Sequence, residues 1–142
     1  MRKSFNIVNE MCKVKSSASN DSKTFPNGLT PRVSFIIDVL RSNGIDHEVS
    51  IFENRKKLVN IHVNFKGVTN KNIMFVAHHD IVNPKSENVN DNTASVSNLL
   101  ALAIMLKGKI LHNGVSIVFT DGEEIKGLGA MQLANDINKK IQ

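Results

Sequence analysis

Three short stretches of this 142-residue chain are dense in side chains that bind cations or move protons: Ala77-His78-His79-Asp80, Asn90-Asp91-Asn92 and Thr120-Asp121-Gly122-Glu123-Glu124. His78 and Asp80 stand two residues apart, so on an extended segment both leave the same face. The carboxylate can then accept a hydrogen bond from one imidazole nitrogen while the other is left for a metal, which fixes the ring and raises its basicity. Asp91 opens a helical pattern, where exposed backbone N–H groups favour a carboxylate, and its two oxygens can bridge two cations. Glu123 and Glu124 are neighbours whose side chains diverge, so one can bind a metal while the other takes a proton from water at an open coordination position. Taken alone, each stretch has a plainer reading: a hydrogen-bonded histidine pair, an Asx-rich helix cap, an acidic turn before a helix. The three together, in this order and at strand ends, argue for a metal centre.

The elements that must position these residues follow from periodicity. Phe5, Val8, Met11 and Cys12 recur at helical spacing and predict a short amphipathic helix over Ser4 to Val14. Polar residues Ser16 to Ser22 and the Phe25-Pro26-Asn27-Gly28 turn read as loop, so residues 1–29 are expected to be a peripheral helix and loop. Thr30 as N-cap, Pro31 at the first position, an apolar face of Val33, Ile36, Ile37 and Leu40, and the Asn43-Gly44 stop predict a helix from Pro31 to Ser42. His47 to Glu53 and Leu58 to Phe65 alternate as two antiparallel strands joined through Asn54-Arg55-Lys56. Ile73 to Ala77 is a continuous apolar run, the pattern of a central strand covered on both faces. Ala94 to Lys107 reads as a helix, Val115 to Thr120 as a strand and Leu128 to Ile141 as a final helix. The order describes one α/β domain over residues 1–142, a mixed sheet flanked by helices. In such sheets, catalytic groups gather at the carboxyl ends of the strands, where all three stretches fall.

Composition narrows the function classes. With 41% hydrophobic and 22% charged residues and no long apolar run, a membrane span is excluded. Asn6, Asn9, Glu10 and Lys13 interrupt any apolar core of a secretory signal, so a cytoplasmic location is expected. The formal charge is +5, but Arg2-Lys3, Arg55-Lys56-Lys57 and Lys139-Lys140 are scattered, and there is no Trp or Tyr to stack on bases, which argues against nucleic acid. Cys12 is the only cysteine, so no internal disulfide exists and the residue is expected to be a small buried apolar group.

From Ile73 to Ala130 the chain resembles the zinc aminopeptidases that include bacterial leucyl aminopeptidases and, more distantly, glutamate carboxypeptidase and the transferrin receptor ectodomain. That family shows a strand ending His-x-Asp, an Asp in an Asn/Asp-rich loop before a Leu-rich helix, and a strand ending Asp-Gly-Glu-Glu-x-Gly-Leu-x-Gly-Ser. The counterparts here are His78-His79-Asp80, Asn90-Asp91-Asn92-Thr93-Ala94-Ser95, and Asp121-Gly122-Glu123-Glu124-Ile125-Lys126-Gly127-Leu128-Gly129-Ala130. Lys126 and Gly127 stand where the family has Gly and Leu, Ala130 replaces Ser, and the loop from Asp80 to Asp91 is short. The resemblance implies a three-layer sandwich of the phosphorylase/hydrolase-like zinc exopeptidases, truncated at its C-terminus. It further implies that His78 binds one zinc and Asp80 orients it. Asp91 would bridge two zincs, Glu124 bind the second, Glu123 act as general base, and the Asp91-Asn92 peptide be cis.

Two ligands of that family, an Asp on the next strand and a late His, have no counterpart before Gln142. Each zinc would keep two protein ligands where a catalytic zinc has three plus water, so one ion or none is expected to bind tightly. His112, at the far rim of the sheet, and His47, on an outer strand, are poor substitutes. The resemblance therefore implies a zinc exopeptidase releasing N-terminal residues from peptides, completed by a complementary chain, a longer natural precursor or a second copy in a homo-oligomer. The contrasting expectation is a non-catalytic binding or remnant protein that keeps the scaffold.

Overall fold

The helix at Pro31–Ser42 shows how local chemistry sets the scaffold. Thr30 Oγ1 accepts the Val33 N–H at 3.3 Å, Pro31 occupies the first turn, and Gly44 leaves at φ +60. The structure, a computed structural model, describes residues 2–17, 19–21, 25 and 28–141, with backbone alone at 2–5 and 141. Its elements are α1 (Arg2–Cys12), α2 (Pro31–Ser42), β1 (Glu48–Asn54), β2 (Lys56–Phe65), β3 (Asn72–His78), α3 (Ala94–Leu106), β4 (Gly114–Thr120) and α4 (Leu128–Ile141). A π-helical turn, Val89–Thr93, leads into α3. No helix among the described residues is long and apolar enough to cross a membrane.

The four strands form one sheet in the order β1-β2-β4-β3. β1 and β2 make a hairpin that pairs down to Asn54 opposite Lys56, with Arg55 alone at the tip at φ 59. The turn is thus tighter than the three-residue connection expected, because both flanking residues join the ladder. β2 runs antiparallel to β4, Ile61 facing Phe119, and β3 runs parallel to β4, Ala77 facing Phe119 and His78 facing Thr120. The sheet is therefore mixed, with a crossover through α3 between its parallel pair.

Side chains alternate across the sheet, and the two faces are covered differently. Val59, Ile61, Val63, Ile117 and Phe119 pack with Met11, the apolar faces of α2 and Val96, Leu100 and Ala103 of α3. Asn60, pointing oppositely, reaches Gly129 of α4, so α4 covers the second face and the domain has three layers. Met11 is wholly buried, so the segment read as peripheral contributes to the core, while Cys12 is only partly buried.

β3 corrects the reading of the sequence. It is not central: β4 is, and β3 lies at the edge with Ile73, Met74, Phe75 and Val76 exposed by 49%, 40%, 39% and 47%. An apolar run signals surface that prefers to be covered, but it does not say whether this chain supplies the cover. The helix expected over Ser4 to Val14 sits two residues earlier, at Arg2–Cys12, and its end continues as turns from Lys13 N to Glu10 O and Val14 N to Met11 O.

Candidate metal centre

β3 and β4 are parallel and in register to their ends, and the ladder runs one step further as His79 N donates to Thr120 O at 2.9 Å. Both strands therefore release their loops at the same rim of the sheet, which sets His78-His79-Asp80 beside Asp121 to Glu124. Asp80 joins the two loops. Its side chain is wholly buried, Oδ1 accepts the Glu123 N–H and Oδ2 the Glu124 N–H, each at 3.1 Å, and the Ser19 hydroxyl donates to Oδ2 as well. Burial works against its charge, but hydrogen bonds from His78, Ser19 and the Glu123 backbone, with the nearby His79, outweigh it and hold the carboxyl down at about 2.

His78 Nδ1 lies 3.5 Å from Asp80 Oδ1 and 3.3 Å from the Asp80 backbone oxygen. The two-residue spacing thus sets the ring beside the carboxylate, although the shorter approach is to the carbonyl. The other nitrogen, Nε2, lies 3.0 Å from Asp91 Oδ1. Partial burial disfavours the imidazolium, yet the hydrogen bond and charge of Asp80, with Glu123 and Asp91 nearby, raise the His78 pKa. Asp91 sits in the π-helical turn with φ −125 and ψ 87, and its peptide to Asn92 is cis.

Glu123 and Glu124 reach the same place. With His78 they form a group whose ligand atoms all lie within 4.8 Å of one another. Their side chains therefore diverge less than adjacent residues on a regular strand would, because the chain leaves β4 through a turn with Gly122 at φ +67. Burial first, and then the charges of Asp91 and Asp80, raise the Glu124 carboxyl. The five residues singled out in the sequence, His78, Asp80, Asp91, Glu123 and Glu124, are thus gathered at one rim. His47 and His112 are not: His47 Nδ1 faces the Ile45 carbonyl at 3.1 Å, and His112 lies beside the Gly67–Leu111 bridge.

Several residues besides these five also build the rim. Asn60 accepts the Asp121 N–H at 3.1 Å and donates to Gly129 O at 2.9 Å, tying the end of β4 to the start of α4. Asp121 is buried and accepts the Val59 and Gly122 N–H groups at 3.0 and 2.9 Å; burial outweighs them and raises its pKa. The His79 ring donates from Nε2 to Val59 O at 2.9 Å, leaving Nδ1 buried without a partner among the described residues. Ser17 Oγ donates to Ile81 O at 3.0 Å and accepts the Ile81 N–H at 3.1 Å, so the polar loop before residue 22 is laced to the strand end. Asn60 was the discoverable one, a polar residue flanked by the apolar Val59 and Ile61.

The donor set fits a hard or borderline divalent cation. It offers one imidazole nitrogen aimed at a carboxylate, two further carboxylates within reach, and a raised Glu124 whose neighbours are mutually repulsive without a cation between them. Its ring is oriented from behind by Asp80, as ligating histidines are.

No curated protein matches the sequence. Solved structures do match the fold. The glutaminyl cyclase of Porphyromonas gingivalis superposes with a TM-score of 0.67 at 19% identity, over 87% of this chain and 48% of that one. The Fimbriiglobus ruber glutaminyl cyclase gives 0.66 at 16%, over 86% and 45%. A leucine aminopeptidase precursor from Bacteroides thetaiotaomicron gives 0.64 at 17%, over 86% and 47%. The chain therefore spans less than half the length of these proteins. The profile of peptidase family M28 matches residues 60–142, which include the rim from His78 to Glu124, and the chain belongs to that family.

Proposed function

We propose that this chain is a zinc-dependent aminopeptidase-like metallohydrolase acting on the N-terminal residues of peptides. The observation that carries the reading is the grouping of His78 with Glu123 and Glu124, where Asp91 meets His78 Nε2 and the buried Asp80 carboxylate accepts both glutamate N–H groups. His78, Asp91 and Glu124 would hold zinc, which when bound polarises the scissile carbonyl. Asp80 keeps the His78 ring turned toward that position and, through the Glu123 and Glu124 N–H groups, fixes the loop that carries both glutamates. Glu123, exposed at the rim, takes the proton of the attacking water and returns it to the leaving amine. The uncovered edge and face of β3 would suit a complementary chain or a second copy docking there.

The test is hydrolysis of aminoacyl chromogenic substrates by the zinc-loaded chain. Glu123→Gln is expected to abolish turnover while zinc still raises the Tm. No turnover together with zinc-indifferent stability refutes the proposal in favour of a binding or remnant protein. A second reading, cyclisation of an N-terminal glutamine, is favoured by the glutaminyl cyclases of similar fold. Ammonia release from a glutaminyl peptide, without hydrolysis of other aminoacyl substrates, would select it.

A further inference from the structure

Arg32 lies on the buried side of α2, 1% exposed, and no motif drew attention to it. Its planar guanidinium uses four hydrogen bonds on three separate segments. Nε donates to His79 O at 2.5 Å, Nη1 to Met11 O at 3.3 Å and Val14 O at 3.0 Å, and Nη2 to Thr93 Oγ1 at 3.1 Å. None of these acceptors is a carboxylate, so the group is not held as a direct ion pair. A buried cation bonded to carbonyls and a hydroxyl is a costly way to stabilise a core. The acceptors show what the cost secures. His79 is the residue after His78, and Thr93 stands two after Asp91. The two segments joined by the fork are the ones that present His78 Nε2 and Asp91 Oδ1 to each other at 3.0 Å. Met11 and Val14 tie the same fork to the end of α1.

We infer that Arg32 is a positioning residue for the metal centre: its rigid fork sets the separation between the His78 strand end and the Asp91 turn. This rests on the reading of that rim as a metal site. Arginine suits the task because its donors diverge in a fixed plane, whereas a lysine offers one flexible point charge. Thr93 is wholly buried, and its hydroxyl is the fork's contact on the Asp91 side.

The test measures zinc affinity of the full chain by competition with a chromogenic chelator, using zinc alone as the probe, on variants shown to be folded by circular dichroism. Thr93→Val removes the hydroxyl at nearly constant shape and is expected to weaken zinc binding about 10- to 100-fold, as loss of groups behind metal ligands does. Thr93→Ser keeps the hydroxyl and is expected to bind as the parent does, even where loss of its methyl lowers the Tm. Arg32→Lys is expected to follow Thr93→Val. A parent chain that binds zinc while folded Thr93→Val binds it equally well overturns the role of Arg32. Weakened binding by Thr93→Ser to the same extent as Thr93→Val also overturns it, because affinity then follows packing and not the hydroxyl. A parent chain that binds no zinc refutes the metal centre itself, which is a different result.

Discussion

Replacing Asp80 by asparagine isolates the contribution of one buried charge. The carboxylate accepts two backbone N–H groups and the Ser19 hydroxyl, and its pKa falls from an ordinary 3.8 to about 2. Two pKa units correspond to about 2–3 kcal/mol of folding free energy at neutral pH. Asparagine loses that charge and also sets an amide NH2 against at least one N–H donor, so a total loss of about 2–4 kcal/mol is expected. For a domain of this size that is roughly 10 °C in Tm. The pH dependence follows from the direction of the shift. A carboxyl with a depressed folded pKa contributes fully above its unfolded value, near pH 4, and loses that contribution as pH falls toward about 2. Thermal unfolding followed by circular dichroism should therefore show parent and Asp80→Asn well separated at about pH 7, with the gap closing between about pH 4 and 2. Equal Tm values at neutral pH, or a gap that persists unchanged at the acid end, would refute this account of the rim.

With His78 as the proposed ligand, zinc would displace a proton from a ring whose pKa is raised, so zinc affinity should climb with pH and the climb should centre above 6.5; chelator competition across about pH 5 to 9 reads it directly. In Asp80→Asn the same climb should move to lower pH, since the charge that holds the imidazolium is gone. Gly129→Ala should destabilise by about 2–3 kcal/mol in urea unfolding, because a Cβ there would stand 2.3 Å from Asp121 O and 2.6 Å from Asn60 Oδ1, closer than any rotamer change relieves. Val76→Lys, on the exposed strand at the sheet edge, should reduce concentration-dependent association in analytical ultracentrifugation; a parent chain already monomeric at high concentration rules out a second copy as the partner.

Much of the scaffold was readable because its signals are local. Thr30, Pro31 and Gly44 bound α2 through contacts within a few residues, and alternation in β1 and β2 needs only the pleat. The candidate site was readable for a related reason. His78-His79-Asp80, Asn90-Asp91-Asn92 and Asp121-Gly122-Glu123-Glu124 each follow a strand or precede a helix, and their conjunction in this order, more than any one of them, pointed to a metal centre. The place of β3 was not readable, because the apolar run that marks a covered strand is the same whether the cover lies within the chain or outside it.

The amino-acid order alone determined which metal-ligating side-chain types are present, their grouping in three loops, and the α/β alternation that sends two of those loops to one rim. Those properties depend on residue type and on periodicities of a few positions. What only the tertiary structure decided is how the rim is held. Ser19 reaches Asp80 across 61 positions, Asn60 reaches Gly129 across 69, and Arg32 reaches His79 and Thr93 across 47 and 61. Contacts at such separations leave no periodic trace, since nothing in the local chain distinguishes a buried arginine that bridges two loops from one on a helix facing water.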